Sequence, residues 1–440
     1  MVDTLVHSNS MTCMKSELDL FSVPPTQTSI LDQTTVEFQP ISTLTDDGPI
    51  EFFISGTGSD QYIDPSQILL HVRCQVLSPD GGRLAEDAVV APECNLLHSL
   101  WSNVDMALND TYITSSGNTY AQQAYIETLL TQSQEAVNTH LQTQFWHRDT
   151  KEVNSTNSAD NPGFARRRAR AKLSKHIDLL GRLHLDFCKQ GKLLMNNVNV
   201  KIRLVRNSDA FVLRAPDRDT AYKLHLLDVN LLVRKCKINP NVLGAHLKWH
   251  QEGHVKYPLK RLITKVFSEP AQSLQINKEN LFLGQLPSRV VIGFLNNNAM
   301  HGTYTESPFN FQHFDTNYIC LHLDGRSIPA KPLRPDFDNE CYARSYYQLQ
   351  DSLGKTDTPD SNTITYKEYA KGHTLWVFDL TPDAAADSPN YINLIKHGNL
   401  RLEVHFKKPL DNTISVLVQG EFTNLIEIDK FKNVMIDFTQ

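Results

Sequence analysis

The chain has 440 residues, of which 40% are hydrophobic and 21% charged, a balance that excludes a disordered polymer and a length too great for one ordinary core. A formal net charge of -6 gives no overall attraction to nucleic acid or anionic membrane, so any such contact is local. Seven cysteines at positions 13, 74, 94, 188, 236, 320 and 341 include no C-x-x-C pair, which points to reduced thiols in an intracellular protein rather than a disulfide scaffold or zinc site.

Residues 1–17 read as a flexible N-terminal arm, polar and without period. Asp3, Lys15, Glu17 and Asp19 interrupt any apolar region there, so no signal peptide is expected. No later run approaches the ~18 apolar residues of a membrane span. The sequons at Asn109 and Asn154 then read as chance. Residues 21–30, Phe-Ser-Val-Pro-Pro-Thr-Gln-Thr-Ser-Ile, predict an extended segment, an edge strand or a clamp on the outside of a domain. Residues 50–55 and 67–77 read as strands. The second sets Ile68, Leu70, Val72, Cys74 and Val76 on one face and ends at the turn Pro79-Asp80-Gly81-Gly82. Gly56-Thr57-Gly58-Ser59 lacks the Lys and helix of a phosphate cradle and reads as a surface turn.

In residues 102–130, Val104, Met106 and Leu108 lead through Asn109-Asp110 to Tyr112 and Ile113, and a helical stretch follows with Tyr120, Ala121 and Tyr125. Residues 317–349 repeat it. Ile319, Leu321, Leu323, Asp324-Gly325 and Ile328 lie at an offset of 215, and Tyr342, Ala343 and Tyr347 at 222. A repeat this long predicts two related domains, because short-period arrays repeat every ~20–50 residues.

A polar loop at 154–163 leads into Arg166, Arg167, Arg168, Arg170, Lys172 and Lys175, six positive charges in ten residues with no acid. Such a run can meet phosphate or serve nuclear import. A solvated loop or an intersubunit salt-bridge surface is the commoner outcome. Strands are expected at 183–187, 198–205 and 222–237. The last carries Leu224, Leu226 and Leu232 on one face and Leu227, Val229, Leu231 and Val233 on the other, which predicts cover on both sides. Asn239-Pro240-Asn241 opens a helix at 242–249 and marks the boundary between domains 18–238 and 239–440.

The second domain takes strands at 255–267, 288–294 and 318–323. Asn199, Val200, Ile202 and Leu204 recur as Asn399, Leu400, Leu402 and Val404 at an offset of 200, and Leu183 and Leu185 as Leu375 and Val377 at 192. Residues 357–363 and 381–390 are insertions in loops. The fold class expected is all-β: two tandem antiparallel domains of β-sandwich or barrel type, of a size that suits jelly rolls, with short helical insertions.

Catalytic signatures are missing: the sequence holds no G-x-S-x-G, H-E-x-x-H, Walker A or G-x-G-x-x-G, and no H-x-H pair for a cupin-type metal site. His98, His184, His225, His322 and His405 fall inside periodic segments and read as ordinary surface or core residues. Asp336-Phe337-Asp338-Asn339-Glu340 resembles the start of a calcium loop, but Cys341 occupies the glycine position and the distal Glu is missing. Helix capping explains these acids better. The tyrosines of the repeated helices form an amphipathic stripe and read as packing. No catalytic residue, cofactor or metal ligand is expected.

Several stretches together resemble one family. They are Ser16-Glu17-Leu18-Asp19-Leu20-Phe21 with Pro24-Pro25-Thr26-Gln27-Thr28-Ser29-Ile30, Lys256-Tyr257-Pro258, Glu279-Asn280-Leu281-Phe282 with Gly284-Gln285-Leu286-Pro287, and Ser307-Pro308-Phe309-Asn310-Phe311. From Ser16 onward the chain is similar to the major capsid protein of Polinton (Maverick) elements and adintovirus-like viruses. The resemblance implies a double jelly roll of the adenovirus-hexon-like lineage, homotrimeric pseudo-hexagonal capsomers and an icosahedral shell. It also implies a penton or minor capsid protein as partner and a place in the virion capsid after synthesis in the host cytoplasm, with nuclear assembly an option; packaged DNA is then a candidate for the phosphate that the basic run can meet. Residues 85–93, 154–171 and 351–362 are then candidate subunit contacts, and the arm would line the shell or pin a neighbour. The alternatives are a carbohydrate-binding or enzymatic jelly-roll protein and a domesticated capsid-derived host protein.

Overall fold

The computed structural model describes residues 7, 9–11, 13–45, 48–56, 60–114, 116–358, 361–388 and 391–436. Much of the expected arm (1–6, 8 and 12), the tip 57–59 of the expected glycine-rich turn, and positions 359, 360, 389 and 390 of the expected insertions lie outside the described residues.

Among the described residues, two sets of eight strands build the fold. The first set is β1 (Ile30–Phe38), β2 (Ile50–Ile54), β3 (Gln61–Leu77), β4 (Trp101–Leu108), β5 (Thr111–Thr114), β6 (Ile177–Arg182), β7 (Val200–Arg206) and β8 (Lys223–Ile238). The second set is β9 (Val255–Glu269), β10 (Gln275–Lys278), β11 (Arg289–Asn296), β12 (Thr316–Leu323), β13 (Arg326–Leu333), β14 (Leu375–Asp379), β15 (Leu400–Phe406) and β16 (Ile414–Ile428). A short β17 (Val434–Ile436) pairs with β16. The first set forms the sheets β1-β8-β3-β6 and β2-β7-β4-β5, and the second forms β9-β16-β11-β14 and β10-β15-β12-β13. Each strand of the second set thus holds the place of the strand eight numbers before it. Two four-stranded antiparallel sheets per set, in this order, make a jelly roll.

The repeat extends to single hydrogen bonds. At the β4–β5 turn, the Asn109 N–H donates to the Asn199 carbonyl (3.0 Å), and the Asn199 N–H donates to Asn109 Oδ1 (2.8 Å). At the β12–β13 turn, the Asp324 N–H donates to the Asn399 carbonyl (3.1 Å), and the Asn399 N–H to Asp324 Oδ1 (2.8 Å). The paired turn residues have positive φ in both copies: 45° and 69° at Asn109-Asp110, 48° and 82° at Asp324-Gly325. That geometry matches the right-handed twist of the flanking strands and favours Asn, Asp and Gly. One contact is not repeated, since Asn109 Nδ2 also donates to the Lys432 carbonyl at 2.9 Å.

Three cores result. One fills the first sandwich, with Phe52, Leu70, Trp101 and Leu231, and another fills the second, with Ile292, Trp376, Val416 and Leu402. The third lies between α1 (Tyr120–Thr131), α4 (Ala343–Ser352) and the outer face of β11, β14 and β16. Alternate residues serve different cores there. Val290, Ile292, Trp376, Phe378, Val416 and Val418 point into the second sandwich, while Val291, Leu295, Leu375, Val377 and Leu417 meet α1 and α4.

Several expectations are corrected. Residues 183–187 are no strand: β6 lies at Ile177–Arg182, and Asp186–Lys189 forms a helical turn. The His184 N–H donates to Tyr120 Oη (3.1 Å), outside any strand ladder. The counterpart of β14 is therefore β6, and the match of Leu183 and Leu185 to Leu375 and Val377 fails. In β8 the apolar residues on both faces reflect a bulge between Leu226 and Asp228. Leu224 and Leu226 face inward before it and Val229, Leu231 and Val233 after it, because one extra residue reverses the faces. Residues 21–29 are exposed and form neither strand nor clamp; the edge strand is β1. The expected acidic cap of α4 is absent. Its N-cap is Tyr342, without a side-chain bond, while Asp336 and Asp338 take Lys407 at 3.5 and 2.7 Å. The helix caps Thr119 and Tyr342 share backbone angles of −123°/16° and −123°/15°, so the helices correspond one residue away from the aromatic match. Strands β1, β10, β16 and β17 fall outside the expected strand segments.

Replacing Asn109 or Asp324 by Ala removes a turn bond and leaves a Cβ residue at positive φ. Each change should lower stability by about 1–2 kcal/mol in denaturant unfolding, and equal midpoints for variant and parent would contradict the turn's role.

Candidate functional site

Arg166 to Arg170 of the basic run lie on a helix, α2 (Pro162–Ala171), and not in the loop expected, and Lys172 and Lys175 belong to the turn after it. Asn161 caps the helix, with Oδ1 accepting from the Phe164 N–H at 3.1 Å, and Pro162 fits the first turn, where a missing N–H costs nothing. Arg168 and Arg170 sit in the last turn, where the helix dipole favours cations.

The six basic residues do not share one environment. Phe164, Arg167 and Ala171 make the buried stripe, and Arg167 is 0% exposed. Its guanidinium grips Asp149 through both carboxylate oxygens (2.7 and 3.0 Å) and also donates to the carbonyls of Pro92 (2.7 Å) and His147. Arg168 donates to the carbonyls of Ala88 (2.9 Å) and Asp87 (2.8 Å), and Lys172 pairs with Glu86 at 2.9 Å. Arg170 lies over the Phe145 ring, 5.7 Å from its centroid. Arg166, Arg170, Lys172 and Lys175 are exposed. Only part of the run can therefore meet a phosphate or another subunit.

Beside Arg167 a second buried pair, Arg214 and Glu93, stands at 3.3 Å. Arg214 also donates to the Asn154 carbonyl (2.8 Å), and the Glu93 carboxylate accepts from Ser307 Oγ (3.3 Å). Burial pushes the Glu93 carboxyl up, against the pull of Arg214 and Arg167. Burial and the cations Arg167, Arg170 and Arg166 lower His147 to about 4, so its ring is neutral at pH 7.

Beside this charged core run contacts between the two halves of the chain. Arg148 pairs with Glu368 at 2.8 Å and donates to the Thr363 carbonyl at 2.7 Å. Tyr125 of α1 stacks on Phe309, 4.3 Å between centroids and 9° between planes. The Ser307 N–H donates to Asn154 Oδ1 at 3.1 Å. Farther along the seam, Lys189 and His184 reach Glu127 at 2.7 and 3.1 Å. Burial opposes ionisation of Glu127, but Lys189 and the hydrogen-bonded His184 ring outweigh it and hold the carboxyl well below its usual range. Asp186 accepts from the Leu262 N–H (3.1 Å), and burial pushes its carboxyl up to about 6. Every charge in these groups faces a protein partner. Among the described residues, no group of three or more His, Cys, Asp or Glu is arranged to hold a metal, and no helix is long and apolar enough to cross a membrane.

The arrangement does mechanical work. Asp149, Glu93, Arg214, Arg148 and Glu368 had no signal in the sequence, because their spacing is set by the fold. Asn161-Pro162 was the signal for α2. Arg167→Ala leaves Asp149 buried without its cation and should cost about 3–5 kcal/mol, against at most about 0.5 kcal/mol for Arg166→Ala. Equal losses for the two in thermal or denaturant unfolding would contradict the internal role of Arg167.

No family model matches the chain. A protein of Caenorhabditis elegans, Uncharacterized protein F54H12.2, is 25% identical over 430 residues, covering 94% of this chain and 99% of that one. Among solved structures, a chain of the Sputnik virophage superposes with a TM-score of 0.63 at 11% identity, over 99% of this chain and 94% of its own length. The mavirus major capsid protein superposes with a TM-score of 0.56 at 10% identity, over 99% and 97%. The chain shares the fold of both over 99% of its length.

Proposed function

We propose that this chain is a major capsid protein of the kind carried by Polinton (Maverick) elements and adintovirus-like viruses. Its role is structural and not enzymatic: copies associate as homotrimers, and the trimers tile an icosahedral shell, with a penton or minor capsid protein at the vertices. The observation that carries this reading is the end-to-end match of a two-barrel chain to viral major capsid proteins. Three copies of a two-barrel chain place six similar barrels in a ring, so a tile of threefold symmetry meets six neighbours. We divide the chain accordingly into the arm 1–17 and the barrels 18–238 and 239–440. The ion pairs and aromatic stack between the barrels suit a tile, which must not flex at its middle. The full-length nematode relative fits an element whose copies sit in animal genomes, and it equally fits a domesticated host protein that keeps the fold without forming particles.

The exposed cations of α2 and of the turn that follows it are the part of the basic run proposed to touch packaged DNA inside a virion. With Arg166, Arg170 and Lys175 each neutralising one phosphate, the logarithm of affinity should fall against the logarithm of salt with a slope of about −3. A gel shift on duplex DNA should lose its retarded band when the three are changed to Ala. No binding by the parent protein at low salt would eliminate the DNA contact.

Light scattering with negative-stain microscopy on the purified protein tests the main reading. A mass of three chains and hexagonal outlines are expected. A stable monomer at high concentration would refute it.

A further inference from the structure

Between α3 (Pro240–Glu252) and the end of the first sandwich runs an apolar groove of about 710 Å³. That volume falls within the ~300–1,000 Å³ of pockets that hold an anchor of appreciable size. Its walls include Ile30, Leu193, Met195, Val242 and Tyr257, and Trp249, 74% exposed, stands at its edge. Lys192, His246, His254 and Lys256 supply the polar part of the lining. Of these, His246 meets Tyr62 Oη at 3.0 Å, His254 and Lys256 reach Glu427 at 2.8 and 3.6 Å, and Lys192 Nζ donates to the Lys256 carbonyl at 2.9 Å.

The same chain carries an apolar segment with nothing on it. Residues 13–29 are all exposed, and they include Leu18, Leu20, Val23 and Phe21, the last 97% exposed. Glu17 and Asp19 alternate with these apolar residues, and Lys192 and Lys256 stand on the groove. We propose that the groove receives residues 17–23 of a second copy of this chain, with Phe21 as the anchor and the two acids beside the two lysines. The proposal rests on the assembly reading above and names the contact by which copies hold one another.

An exchange between copies is favoured over capture of the chain's own arm by the way the arm leaves the body. Ile30 pairs with Ile238 at the start of β1 and is itself a wall of the groove. Just before it, Gln27 Oε1 accepts from the N–H groups of Ser29 (2.5 Å) and Ile30 (2.9 Å), and Gln27 Nε2 donates to the Ile30 carbonyl (3.1 Å). These bonds fix the exit direction, and Pro24-Pro25 stiffen the next stretch. An extended run from Ile30 to Phe21 spans roughly 28 Å at ~3.1 Å per residue, enough to carry the anchor off its own subunit.

The test uses full-length protein in two differently tagged forms, both with Cys13→Ser and Cys341→Ser to remove the exposed thiols. One carries Phe21→Cys and the other Val242→Cys. Mixed, co-assembled and oxidised, they should give a disulfide-linked species bearing both tags. Phe21→Asp should raise the concentration at which the assembly dissociates by at least about tenfold while leaving the thermal midpoint of the isolated chain unchanged. A chain with both cysteines that links only to itself, or an assembled mixture that forms no cross-link, overturns the exchange and leaves the capsid reading standing. A chain that never associates overturns both.

Discussion

A sandwich hides only the inner faces of its two sheets, and in the second half of this chain the outer face of one sheet is apolar as well. Val291, Leu295, Leu375, Val377 and Leu417 would lie in water if the second sandwich stood alone. They are covered by α4 from their own half and by α1 from the other. The two halves are thus joined by the hydrophobic effect acting on alternate residues of strands whose other residues already fill a core. The stack of Tyr125 on Phe309, the pair Arg148–Glu368 and the bond from the Ser307 N–H to Asn154 then give that apolar union a fixed orientation. Buried ion pairs contribute little net stability, but a misplaced partner is costly, so they select one arrangement among many greasy ones.

The first half shows the contrast. The outer face of β3 carries His71, Arg73 and Gln75, and Arg73 pairs with Asp228 across the sheet at 2.8 Å. The same strand order is used twice, yet only one copy needs a cover. The two halves share an architecture but not the side chains of this outer face.

How much of this could be read from the chain depended on whether the signal was local. The hairpins were legible because a tight turn imposes its own chemistry: positive φ at two residues demands Asn, Asp or Gly whatever surrounds them. The long alternating strands β3 and β8 were legible too, although the bulge in β8 was mistaken for two apolar faces. The shift in spacing from Leu226 to Val229 is its trace. Strand β16 was overlooked despite regular alternation from Ile414 to Ile428. Arg167 was not legible as a core residue, since nothing local separates it from Arg166 and Arg168. Its burial follows from where Asp149, Pro92 and His147 are brought by the fold. The charged seam as a whole joins residues far apart in sequence, and no window on the chain contains it.

The duplicated turns carry one further consequence. Asn109 and Asp324 do the same work with a side-chain oxygen, but the second atom of the group is nitrogen in one and oxygen in the other. The nitrogen of Asn109 is a donor and reaches the Lys432 carbonyl, tying the first half to the closing segment of the second. A carboxylate at Asp324 has no hydrogen to offer to such a carbonyl. One atom of a turn side chain thus makes two otherwise equivalent hairpins unequal, and it ties the first half to the second.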